Sequence, residues 1–233
     1  MSNQPAIILT EPQMGENIGA AARAMFNFGL TDLRLVSPRD GWPNVEAECN
    51  ASGALEENCV SVQVFENLED AISDLHFVLA TTARSRDLVK TVYTPSSAAR
   101  EFRGNGLKSA IVFGEERAGL TNDHITLCNG IITIPTNPDF SSLNLGQSVL
   151  LACWEWFNAE EQAAPQNENV PAEKEKLTEF LNRLENELDA ADFFKSEGLK
   201  PTMIRNIRSI FTRNDLTDQE VRTLHGILSA FTK

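Results

Sequence analysis

The chain has 233 residues, 42% hydrophobic and 23% charged, with a formal net charge of −13 and a pI of about 4.7. That size suits one substantial globular domain plus a smaller one, and the acidity counts against a simple nucleic-acid binder, because phosphate recognition draws on Lys and Arg. No apolar run is long enough to span a bilayer, the first residues lack a signal peptide's basic and apolar regions, and Cys49, Cys59, Cys128 and Cys153 are scattered. The expectation is therefore a soluble, cytoplasmic protein with no metal site and no disulfide frame.

Residues 6–10 form a short apolar run closed by Glu11-Pro12, the pattern of a buried strand ending at a turn. Asn17 is placed to cap a helix that stops at Gly29. Its first turns are Gly and Ala, which let the backbone lie close to a neighbour. Ile18, Ala22, Met25 and Phe26 share a face; Arg23 falls off it, where a solvated arginine is the ordinary reading. A strand over 33–36, an irregular helix over 44–58, a strand over 60–65 and a helix ending at Leu75 follow.

Residues 77–80 read as a buried strand running into the small, basic loop 81–86. Ser96 or Ser97 caps a helix reaching Phe102. The strand over 110–113 ends abruptly at Gly114, and Thr121 opens a short helix to Leu127. From Ile131 come a short strand, a polar loop over 135–144 and an amphipathic helix over 145–157, whose tryptophans suit a core or a subunit interface. Continuous apolar strands alternating with helices indicate an α/β fold with a mostly parallel sheet. Loops after the strand ends then gather on one edge, where such sheets bind ligands. Four such loops are 11–17, 81–86, 114–120 and 135–144.

Residues 159–171 are polar, acidic and punctuated by proline, as in a linker. Beyond it, three apolar stripes predict a small helical extension over 172–233: Leu177, Phe180, Leu181, Leu184 and Leu188, then Met203, Ile204, Ile207, Ile210 and Phe211, then Val221, Leu224, Ile227, Leu228 and Phe231 behind a Thr217–Glu220 capping box. Charge is segregated. Residues 155–192 hold eleven acids against three bases, and 195–233 hold seven bases against four acids.

Dinucleotide, P-loop and nucleophile-elbow motifs are missing. His76, His124 and His225 have no evident acid or nucleophile partner in sequence, so histidine catalysis and metal-assisted hydrolysis find no support. Glu115 and Glu116, beside Arg117, read as an ion-paired loop rather than as general acids or bases.

Three segments carry a resemblance: 17–25 (Asn17 to Met25, containing Arg23), 111–120 (containing Gly114, Glu116 and Gly119) and 134–145 (Ile134-Pro135 through Ser141-Ser142-Leu143-Asn144). In order and spacing they resemble the three motifs of the SpoU/TrmH class of RNA ribose 2′-O-methyltransferases, and 81–86 adds a fourth match. The resemblance implies a SPOUT-type fold with a deep trefoil knot, a homodimer with its active site at the subunit interface, and S-adenosyl-L-methionine as cofactor. It assigns Thr81, Thr82, Ala83, Gly114, Ile134, Ser141, Ser142 and Leu143 to the cofactor pocket. Arg23, Glu116, Ser142 and Asn144 become the catalytic candidates, and Arg84, Arg86, Lys90, Arg205, Arg208 and Arg213 the candidate RNA contacts.

The helices after residue 200 also resemble those of bacterial enzymes that methylate the ribose of a pyrimidine at position 32 of the tRNA anticodon loop. A ribosomal RNA substrate and a catalytically silent RNA-binding or assembly factor are the alternative readings.

Overall fold

The computed structural model describes residues 4–57, 59–83, 89–159, 170–196 and 198–231. The expected RNA contacts Arg84 and Arg86, and most of the expected linker, lie outside them. Among the described residues seven strands form one sheet: β1 (Ala6–Thr10), β2 (Asp32–Val36), β3 (Ser61–Phe65), β4 (Phe77–Thr81), β5 (Thr91–Tyr93), β6 (Ser109–Phe113) and β7 (Gly130–Ile132). Their order is β3-β2-β1-β6-β4-β7-β5, and each pairing is parallel. The sequence misses β5, a three-residue edge strand that is mostly exposed and so lacks an apolar run.

Helices α1 (Gly15–Asn27), α2 (Val45–Ala51), α3 (Leu68–Ile72), α4 (Pro95–Asn105), α5 (Asn122–Thr126) and α6 (Leu145–Asn158) cover the two faces. Alternation along the strands divides the core. Ile7, Leu9, Leu33, Leu35, Phe77, Leu79, Ile111 and Phe113 pack with α1, α2, α4 and α6. Ala6, Ile8, Val78, Ala80, Ala110 and Val112 pack with α3 and α5. Near-continuous apolar strands are what a sheet buried on both faces requires.

Several helix starts differ from expectation. Met14, not Asn17, occupies the N-cap of α1, which puts Asn17 in the first turn, buried. Thr94, rather than Ser96 or Ser97, caps α4, because Ser97 completes a capping box with it. The small residues of α1 do permit close approach. A Cβ on Gly19 would lie 2.3 Å from the Ala47 carbonyl oxygen, and one on Gly146 would lie 2.9 Å from the Ala20 Cβ, so α1 is pressed between α2 and α6.

The C-terminal helices α7 (Lys174–Ala190), α8 (Lys200–Thr212) and α9 (Asp218–Phe231) build a separate apolar cluster from Ala172, Leu177, Phe180, Leu181 and Val221. They pack on the α3 and α5 side of the sheet. The expected apolar stripe of α8 is not its buried side. Ser209 and Thr212 are buried while Ile210 is exposed, and only Phe211 of that stripe packs on the cluster. No described helix is long and apolar enough to cross a membrane.

Candidate active site

The loops after β4 and β6 and the loop between β7 and α6 meet at one edge of the sheet. There they enclose a cavity of about 320 Å³. Its walls are Thr81, Thr82 and Ala83; Phe113 through Gly119; Ile132 and Ile134; and Ser141, Ser142, Leu143, Leu145 and Ser148. All eight residues expected to hold a cofactor therefore line one space. Apolar side chains of β6, β7 and α6 face hydroxyls from the other walls, a composition suited to a ligand with an aromatic ring and polar ends.

Backbone geometry shapes this cavity. Thr82 N–H donates to the Ile132 carbonyl at 3.1 Å, and Thr81 Oγ1 donates to the Val112 carbonyl at 2.9 Å, so the ends of β4, β6 and β7 are tied together. Gly114 is required for a reason the sequence did not give. A Cβ there would lie 2.2 Å from the carbonyl carbon of Gly119 and 2.3 Å from Leu120 N; the hairpin's own backbone takes that space. Gly119 turns this hairpin with φ +68°.

Beside the cavity runs a polar relay that joins the three motifs. Asn17 Nδ2 donates to Glu116 Oε1 at 2.7 Å, and Gln13 N–H donates to Glu116 Oε2 at 2.9 Å. Asn144 Nδ2 donates to Asn17 Oδ1 at 2.9 Å, and Asn144 Oδ1 caps α6 by accepting from Gln147 N–H at 3.3 Å. Both Glu116 oxygens are thus engaged, which suits a holding role better than proton removal. Glu115 reinforces it by accepting from Gln13 Nε2 at 3.2 Å and from Ala118 N–H at 3.1 Å. Asn17 was missed as a site residue because Asn before a helix reads as a cap; its place in a motif was the available signal.

Arg23 does not line the cavity. Six residues beyond Asn17, it stands about 9 Å further along the helix axis, exposed, with Nη1 donating to Ser52 Oγ at 3.1 Å. The expected RNA contacts also find other partners. Arg205 pairs with Asp123 at 2.7 Å and Arg208 with Glu185 at 2.6 Å. Lys90, expected as an RNA contact, is engaged within the chain. Its Nζ donates to the carbonyls of Thr126 and Cys128, at 3.2 and 2.7 Å, and to Thr212 Oγ1 at 2.5 Å. Burial pushes this amine down to about 7. Among the described residues no group of three His, Cys, Asp or Glu could hold a metal ion.

The sequence profile of the SpoU rRNA methylase family matches residues 4–154. A protein of Klebsiella pneumoniae named tRNA (cytidine/uridine-2′-O-)-methyltransferase TrmJ is 35% identical, over 96% of this chain and 94% of its own. An uncharacterized tRNA/rRNA methyltransferase of Haemophilus influenzae is 34% identical over 97% of this chain and 94% of its own. The crystal structure of TrmJ from Z. mobilis superposes with a TM-score of 0.91 at 46% identity, covering 99% of this chain and all of that one.

Proposed function

The chain belongs to the SpoU rRNA methylase family, and from that premise we propose that it is a tRNA ribose 2′-O-methyltransferase. The methyl donor is S-adenosyl-L-methionine, and the target is a cytidine or uridine at position 32 of the anticodon loop. Relatives named as tRNA (cytidine/uridine-2′-O-)-methyltransferases, matched over nearly their whole length, support the substrate class. The observation that carries the reading is the single cavity lined by all eight expected cofactor residues.

The bound donor supplies an already activated methyl group, so the protein's task is largely positioning. Ile132, Ile134 and Leu143 offer an apolar wall for the adenine, and Thr81, Thr82, Ser141 and Ser142 offer hydroxyls to the polar ends. Asn144, fixed by Asn17 and by its cap on α6, orients the loop that faces the ribose. The Arg23 guanidinium stabilises the developing alkoxide or clamps phosphate. Glu116 holds the segment after β1.

The protein acts in the cytoplasm as a homodimer. Arg23 stands outside its own chain's cavity, and α1 and α6 expose Phe26, Leu150, Leu151, Trp154 and Phe157, an apolar face of the kind that marks a protein interface. A trefoil knot in the second half of the domain is consistent with β7 lying between β4 and β5. Arg84, Arg86 and Arg213 contact RNA phosphate, and Arg205 and Arg208 join them when phosphate displaces their carboxylates.

Arg23→Ala should abolish methyl transfer while cofactor affinity stays near wild type; full transfer by that variant sinks the role. Mapping 2′-O-methyl groups in tRNA and ribosomal RNA from a deletion strain tests the substrate. Loss at tRNA position 32 is expected, and loss in ribosomal RNA alone would overturn the assignment.

A further inference from the structure

The half-buried amine of Lys90 has no part in the chemistry above, yet it joins three elements. Lys90 immediately precedes β5, the carbonyls of Thr126 and Cys128 belong to the end of α5 and the turn before β7, and Thr212 closes α8. Thr212 Oγ1 in turn donates to the Thr126 carbonyl at 2.8 Å. Three acceptors saturate an ammonium's three donors.

The rest of the α8 seat is also polar. Arg205 pairs with Asp123, Asn129 Nδ2 donates to Asp215 at 3.0 Å, and His124 Nδ1 and Ser209 Oγ are buried with no partner among the described residues. The apolar cluster of the C-terminal helices shares no residue with those of the sheet. Directional bonds thus tie α8 to the sheet, and the part-buried Lys90 set is the one that joins the most elements. These bonds reach the cavity through stiff elements. β7 pairs with β5 and β4, Thr82 N–H donates to the Ile132 carbonyl, and Thr81, Thr82, Ile132 and Ile134 are cavity wall.

We propose that Lys90 is a positioning residue through which α8 sets the cavity wall at the ends of β4 and β7, so that the C-terminal helices control cofactor affinity. This rests on the reading of the cavity as an S-adenosyl-L-methionine site. Titration of S-adenosyl-L-methionine into the full chain tests it, using wild type, Lys90→Met, Thr212→Val and Lys176→Gln. Thr212→Val keeps side-chain shape and removes only the α8 end of the set, remote from the cavity. Lys176→Gln breaks an ion pair with Asp218 that lies wholly within the C-terminal helices.

Loss of one directional bond should weaken cofactor binding on the order of fivefold in Thr212→Val and at least as much in Lys90→Met. Lys176→Gln should bind as wild type. Amide exchange over residues 126–132 should quicken in the two affected variants, a local loosening that general destabilisation would spread through the sheet. Wild-type affinity in Thr212→Val overturns the coupling even if Lys90→Met is impaired. A wild-type chain that takes up no S-adenosyl-L-methionine overturns the cofactor reading itself, and the coupling with it.

Discussion

Asn17 concentrates more of the site than any other single residue. It donates to Glu116 and accepts from Asn144, so it holds the loop after β6 and the cap of α6 in one register. Asn17→Ala takes one partner each from the half-buried Glu116 carboxylate and from the Asn144 amide, which should cost about 1 kcal/mol in a urea titration. Turnover should fall further, about a hundredfold, because a displacement near 1 Å at a reacting centre carries that penalty. Single-turnover methylation at saturating cofactor would measure it, and near-normal turnover would show that Asn17 is only structural. Residue identities in the cavity walls were legible in sequence, because Gly114, Ser141 and Ser142 sit in motifs. The relay was not, since it joins positions 17, 116 and 144, whose meeting depends on the whole sheet.

Helix packing separates glycines that look alike in sequence. Gly19 lies within α1 where a Cβ would strike the Ala47 carbonyl oxygen at 2.3 Å, whereas Gly226 lies within α9 facing open space. Gly19→Ala should force α1 from α2 and destabilise by about 1–3 kcal/mol. Gly226→Ala should stabilise by about 1 kcal/mol, because alanine loses less backbone freedom on forming a helix. Thermal unfolding of the two variants beside wild type checks both signs. Most strands were legible as apolar runs, and Asn44, Asn67 and Thr121 cap helices as their side chains suggest. β5 was not, being short and exposed. The seat of α8 was not either, because an amphipathic stripe reports which side is apolar and not whether a polar seam wins the docking.

At the scale of the molecule, the half-buried Lys90 and the buried Lys174, between sheet and C-terminal helices, tie stability to pH. Burial lowers Lys90 from 10.5 to about 7 and Lys174 to about 8. Lys90 faces Cys128, Lys174 and Arg213, and Lys174 faces Cys128 and Asp215. Between those values and 10.5 the unfolded chain holds protons the folded one has released, so stability rises with pH, by up to about 1.4 kcal/mol per unit for each amine. Burial also raises the thiols of Cys128 and Cys153 from 9.0 to about 11 and about 12. The folded chain then keeps protons the unfolded one loses, which opposes the lysines above pH 9. Urea midpoints should climb from pH 7 to 9, flatten to about 10.5 and then fall; Lys90→Met should remove the part of the climb that begins near 7. The order of the strands carries a different consequence, for synthesis. β1, β2 and β3 are neighbours and can assemble as they leave the ribosome, but among the described residues β4 pairs only with β6 and β7, and β5 only with β7. Until residues 109–132 are made, the apolar segment of β4 and the short edge segment of β5, in the middle of the nascent chain, have no strand to join. That interval is when this protein is most exposed to aggregation and most in need of a chaperone.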